Sequence, residues 1–213
     1  MSDDQEIKDK IIITTLKNIN FDGWNKETIL EGFISNKIKV EDYELLFPNG
    51  IVDTIIHFAD MSDRLMIKEF KRTDNSELRT PDKIKQLLIY RFKILNPYKE
   101  AVRKSIAILA LPKNSKFALN ALYKTTDEIW RAVGDRSTDF SFYTKRASLA
   151  SVYSTTKMSW LGSLDPDLSK VEEFIDRRLK NLKLLGSITK PLKENLNKPF
   201  KILNDFPFFN FNR

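Results

Sequence analysis

Cysteine is absent from this chain and histidine occurs once, at His57, which excludes thiolate chemistry, disulfides and any cluster of imidazole ligands. What remains for chemistry is carboxylates, lysines, arginines and rings. The carboxylate pair Glu172-Glu173 falls on an exposed helix face with no histidine near it in sequence, which suits solvation better than general acid or base work. His57, within Ile55-Ile56-His57-Phe58, reads as a satisfied buried or half-buried ring, and Tyr153 and Trp160 default to packing. No Gly-rich phosphate loop, nucleophile elbow or metal-ligand spacing occurs. A hydrolase or transferase built on Asp and Lys is therefore the weakest reading, and the chain is expected to have no catalytic residue, no metal and no cofactor.

The densest block of unusual residues runs from Trp130 to Arg146, WRAVGDRSTDFSFYTKR, where rings, acids and bases surround a Gly-Asp helix break. Gly134 can take the left-handed conformation that ends one helix, and Ser137, Thr138 and Asp139 can cap the free amides that open the next. Trp130 then lies one turn before the break, with Phe142 and Tyr143 in the first turn after it. Such a corner displays rings beside Asp127, Asp135 and Asp139, and rings with a polar fringe are what a binding hot spot uses. The bland alternative is that these rings pack the helix pair together.

The elements that must position this corner are all helical. At 213 residues and 41% hydrophobic, the chain can bury about 70% of its unfolded surface in one core. Apolar spacing of three and four between Pro and Gly punctuation predicts helices at 4–19, 26–36, 41–46, 50–72, 81–95, 97–110, 114–133, 139–161 and 168–186. Asn25 and Asp53 read as start signals, Pro81 as a first-turn residue, and Gly134 and Gly162 as stops. Core candidates are Leu87, Leu88, Tyr90, Phe92, Leu95, Ile106, Ile108, Leu109, Leu119, Leu122, Leu149 and Val152. Helical spacing is the same whether such residues fill a core or line a pocket, so the lining of any pocket stays unassigned.

Three short helices followed by longer ones resemble the TetR layout, a helix-turn-helix head (1–48) on a body (49–186). The alternative function on that layout is a ligand-responsive DNA-binding transcriptional regulator. Its third helix would have to offer basic or amide side chains to the major groove, and this one offers Glu41, Asp42 and Glu44. The expectation is accordingly no nucleic-acid partner.

The block Gly134-Asp135-x-Ser137-Thr138-Asp139-Phe140-x-x-Tyr143-Thr144-Lys145-Arg146 resembles the signature of the coenzyme Q (ubiquinone) biosynthesis protein nine family. Gly23-Trp24, Leu46-Phe47-Pro48-x-Gly50 and Leu111-Pro112 add weaker support. The resemblance implies an all-α, TetR-like bundle used without DNA, a homodimer, and a non-catalytic accessory that holds an isoprenoid quinone intermediate or phospholipid. It also implies docking to the demethoxyubiquinone hydroxylase. Carried over residue by residue, the hydroxylase-facing patch falls on Asp127, Ile129, Trp130, Asp139, Phe142 and Tyr143. The family has Met where Ile129 stands and Trp where Phe142 stands.

The formal net charge is +7, and residues 177–201 hold eight basic residues against Glu194 alone, an excess as large as that of the whole chain. Within the tail (187–213), Ile188, Leu192, Leu196, Phe200 and Leu203 recur every three or four residues with Lys190, Lys193, Lys198 and Lys201 between them. These nine are the expected membrane-binding residues, an amphipathic basic segment for an anionic membrane surface. Pro191 and Pro199 argue for two short helices over one. The acidic start MSDDQEIKDK is unlike an Arg-rich transit peptide. The resulting expectation for localisation is a bacterial cytoplasm, peripherally on the inner membrane.

Overall fold

The fold was obtained as a computed structural model that describes residues 3–163 and 168–180. Among the described residues every regular element is helical. The head comprises α1 (Asp3–Thr15), α2 (Ile19–Asp22), α3 (Lys26–Ser35) and α4 (Tyr43–Leu46). The body comprises α5 (Ile51–Arg72), α6 (Thr80–Leu95), α7 (Lys99–Leu109), α8 (Ser115–Ala132), α9 (Phe140–Gly162) and α10 (169–180). The expected all-α class is borne out.

Most boundaries follow local chemistry. Asn25 caps α3 by accepting from the Thr28 amide at 2.8 Å, and the Asp53 carboxylate accepts from the Asn49 amide at 2.6 Å, tying the Pro48-Asn49-Gly50 turn to α5. Pro81 sits in the first turn of α6, where its missing N–H costs nothing. Two expectations need correction. The single helix over 4–19 is broken: the amides of Lys17 and Asn18 bond three residues back, to Thr14 and Thr15, which tightens the chain and ends α1 before α2 begins. The third head helix is one α-turn, preceded by a 3-10 turn over Val40–Asp42.

Gly32 sets the crossing of α3 on α1: a Cβ there would stand 2.5 Å from Thr15 Oγ1 and 3.0 Å from the Ile11 carbonyl. Phe33, Tyr43 and Phe47 pack as a ring cluster inside the head, with centroids 6.0–6.2 Å apart. Several polar ties pin the head to the body, among them that of Lys104 of α7, which donates to the Ile19 carbonyl of α2 at 2.9 Å. Trp24 donates its indole N–H to the Ala101 carbonyl of α7 at 2.9 Å, and Asp9 of α1 accepts from His57 Nε2 at 2.7 Å and from Arg64, both on α5. His57 is thus a half-buried, satisfied ring, and burial lowers its pKa in spite of Asp9. Head and body share one core, centred on Phe58, Leu88, Phe92, Tyr153 and Trp160. α10 lies on α6, with Val171 and Ile175 buried and Asp176 paired to Lys85 at 2.7 Å.

Candidate functional site: the α8–α9 corner and the body cavity

The corner forms as its residue types require. Gly134 has φ +84°, the Asp135 amide bonds back to the Trp130 carbonyl and the Gly134 amide to the Arg131 carbonyl, each at 3.0 Å. This is a Schellman stop for α8. Asp139 opens α9 by accepting from the Ser141 amide at 3.0 Å. Ser137, expected as a cap, instead donates its hydroxyl to the Asp135 carboxylate at 2.8 Å.

Two carboxylates are sunk beneath the bend and clamped. Arg146, itself buried, donates from Nε to Asp127 at 2.7 Å, and from Nη1 to Asp135 at 3.2 Å and to the Phe142 carbonyl at 3.1 Å. Lys145 donates to Asp135 at 2.6 Å, and Arg131 holds the other Asp127 oxygen at 2.6 Å. Burial alone would raise the Asp135 pKa; the hydrogen bonds from Lys145, Ser137 and Arg146 together outweigh it and lower it to about 2. The clamp fixes the rings. The Arg146 guanidinium lies 3.4 Å from the Phe142 ring centroid, Phe142 meets Tyr143 edge-on at 5.1 Å, and Trp130 donates its indole N–H to the Lys145 carbonyl at 3.1 Å.

The structure therefore divides the six carried-over patch residues. Asp139 and Tyr143 are exposed, and Trp130 and Phe142 are half-buried. Asp127 is nearly covered by its ion pairs and Ile129 is fully buried, because the α8 turn that aims Trp130 sideways aims Ile129 into the core. In this arrangement Asp127 and Ile129 support the surface from below. Sequence reasoning missed Phe140, 53% exposed and one turn before Tyr143 at 44%. The signal was its i, i+3 spacing from Tyr143 on a helix already assigned.

Inside the body, a small apolar cavity of about 80 Å³ lies between α5, α6, α7, α8 and α9, lined by Phe58, Leu95, Ile106, Leu109, Ala121 and Leu122 among others. Of the core candidates, Leu87, Leu88, Phe92, Leu95, Leu149 and Val152 are buried, whereas Leu119 is exposed. The cavity has a polar end. Arg91 donates from Nε to the Tyr153 hydroxyl at 2.7 Å and pairs with Asp63, which accepts from Thr125 at 3.0 Å. Burial raises the Asp63 pKa to about 6, more than Arg91 and Thr125 lower it. Burial would also raise that of Tyr153, but Arg91 and Lys157, whose ammonium lies 4.3 Å from the ring centroid, bring it down. On the far side of Asp63 a polar cleft of about 610 Å³ opens between α1, α5 and α8, lined by Lys8, His57, Asp60, Arg64, Lys124 and Glu128 among others.

No group of three or more His, Cys, Asp or Glu residues suited to a metal occurs among the described residues. No described helix is long and apolar enough to cross a membrane. The nine tail residues assigned to membrane binding, from Ile188 to Leu203, lie outside the described residues.

The COQ9 family model matches residues 115–186, a stretch that contains the whole corner. The chain is 28% identical over 197 residues to the ubiquinone biosynthesis protein COQ9, mitochondrial, of Homo sapiens, covering 89% of this chain and 62% of that protein. With the Drosophila melanogaster protein of the same name it shares 25% identity, over 91% of this chain and 61% of that one. It spans about three fifths of the length of these relatives. Among solved structures, a TetR transcriptional regulator from Nitrosomonas europaea superimposes with a TM-score of 0.66 at 17% identity, covering 82% of this chain and 97% of that one. That likeness shows the fold. The expected bacterial cytoplasm is corrected by the same relatives: those of Homo sapiens, Rattus norvegicus, Dictyostelium discoideum and Drosophila melanogaster are all named as mitochondrial, which points to the mitochondrion. The acidic start that suggested otherwise carries no weight against that agreement. Over most of its length, then, the chain is similar to ubiquinone biosynthesis proteins named COQ9, its residues 115–186 match the COQ9 family model, and its fold is that of a TetR regulator.

Proposed function

We propose that this protein is a non-catalytic accessory of ubiquinone biosynthesis, which holds an isoprenoid quinone intermediate or a phospholipid and docks the demethoxyubiquinone hydroxylase on its α8–α9 corner. The observation that carries the reading is the corner itself: Arg146, buried with Asp127, lies against Phe142, Trp130 is tied to the Lys145 carbonyl, and Phe140 and Tyr143 stand exposed on the same corner, within the stretch matched by the COQ9 family model. Pre-organised rings bind a partner with little further loss of entropy. The names of the relatives support the pathway.

At about 80 Å³, the cavity is well below the roughly 300–1,000 Å³ of pockets that enclose whole ligands. A lipid is admitted by separation of α7 from α8, whose facing residues Ile106, Leu109, Ala121 and Leu122 are apolar or small. The chain acts as a homodimer, and the basic tail engages an anionic membrane surface. Against duplex DNA, the one-turn α4 exposes Glu44 and Leu45, which suits neither phosphate nor base edges.

Two measurements test this. Tyr143→Ala should weaken capture of the hydroxylase at least about tenfold with helical content unchanged, and equal capture would remove the docking site. Native mass spectrometry of the purified protein should show a copurified quinone precursor or phospholipid; an empty protein would remove the lipid.

A further inference from the structure

The sequence puts Asp127, Glu128, Asp135 and Asp139 against Arg131, Arg136, Lys145 and Arg146, so the corner is neutral on paper. Folding does not distribute that balance evenly. Asp127 and Asp135 are drawn under the bend, with side chains only 11% and 6% exposed, and Arg146 goes down with them. Arg131 remains 68% exposed although it reaches Asp127, and Lys145 remains partly exposed although it reaches Asp135. Arg136 stands at the tip of the loop, exposed, with no ion pair among the described residues. Arg131 and Arg136 are therefore exposed on the same corner that exposes Phe140 and Tyr143, while Asp127 and Asp135 lie beneath it and Glu128 and Asp139 remain nearer the surface.

Resting on the docking reading above, we propose that the corner recognises an acidic protein surface: a carboxylate of the partner meets Arg136 while apolar side chains cover Phe140 and Tyr143. The chemistry favours a folded protein over a lipid surface. The corner is held rigid by buried ion pairs and carries Asp139 and Glu128 on the same fringe, and these would repel a uniformly anionic membrane but can be accommodated by a partner with placed charges. Arginine also pairs two-pronged with carboxylate, which gives register as well as attraction.

The test uses the full chain and the demethoxyubiquinone hydroxylase, with binding measured over a salt series by surface plasmon resonance. Arg136→Glu should weaken binding about tenfold or more at low salt, chiefly through slower association, whereas Arg136→Lys should keep the fast association and lose only the part due to the two-pronged pair. Among the described residues Arg136 is exposed and has no ion pair to lose, and unchanged circular dichroism of the variant excludes unfolding as the explanation. If Tyr143→Ala weakens binding but Arg136→Glu does not, the acidic-partner proposal is overturned and the docking site stands. Should the unaltered chain bind no hydroxylase, both fall together. Loss of binding by Arg136→Glu to phosphatidylserine vesicles, with hydroxylase binding intact, would assign the cation to a membrane and overturn the proposal as well.

Discussion

Arg146 stacks its guanidinium 3.4 Å from the Phe142 ring centroid while its Nε reaches Asp127 at 2.7 Å, so a single side chain of α9 joins an acid of α8 to the first ring of the display surface. Removing one partner of a buried ion pair leaves the other uncompensated. Arg146→Met should therefore destabilise the protein by about 3–5 kcal/mol in urea unfolding. Because Asp127 and Asp135 would both lose a donor, Arg146→Lys should recover only part of that. A loss under about 1 kcal/mol would show that the clamp contributes little.

Asp135 gives the corner a pH dependence of definite sign. Its folded pKa of about 2 lies below the ordinary value of 3.8, so its contribution is fully present above about pH 4 and is lost as pH falls toward 2. Allowing for solvent around the partly exposed Lys145, the amount is about 1–2 kcal/mol. Asp135→Asn should flatten this acid limb while lowering stability at neutral pH. Parallel acid limbs for the two proteins in chemical denaturation would refute the assignment.

Gly32 and Gly162 should respond oppositely to alanine. At Gly32 the new methyl meets Thr15 Oγ1 at 2.5 Å and the Ile11 backbone at 3.0 Å, so α1 must shift, and a loss of about 1–3 kcal/mol is expected. At Gly162 nothing lies within 4 Å and the backbone is helical, so alanine should be neutral or slightly stabilising. Thermal melts of the two variants decide; equal melting temperatures would mean that the head crossing tolerates spreading.

The body cavity can be filled. Ala121→Leu places added carbons into a space of about 80 Å³, so the protein should keep its helical content and lose no more than about 1 kcal/mol in denaturation. If lipid enters between α7 and α8, the variant should also copurify with less of it by native mass spectrometry. Undiminished lipid would place that ligand elsewhere.

The helices of the body, the Gly134 stop, the Asp139 cap and the family likeness were readable from sequence, because each depends on residue types a few positions apart, whereas the breaks within the head were not. Apolar periodicity needs only one turn of context, and Gly134 ends α8 whatever packs around it. Tertiary structure alone decided which members of the corner face outward. Ile129 and Trp130 are neighbours in sequence, yet one is sealed in the core and the other lies along Lys145, since one step along a helix turns a side chain by about 100°. Likewise Asp127 and Asp139 are equally acidic as letters, but only contact with Arg146 and Arg131 draws the first beneath the surface. The size of the cavity, and the buried Asp63–Arg91–Tyr153 network at its polar end, join residues as much as 90 positions apart, and no local pattern encodes such meetings.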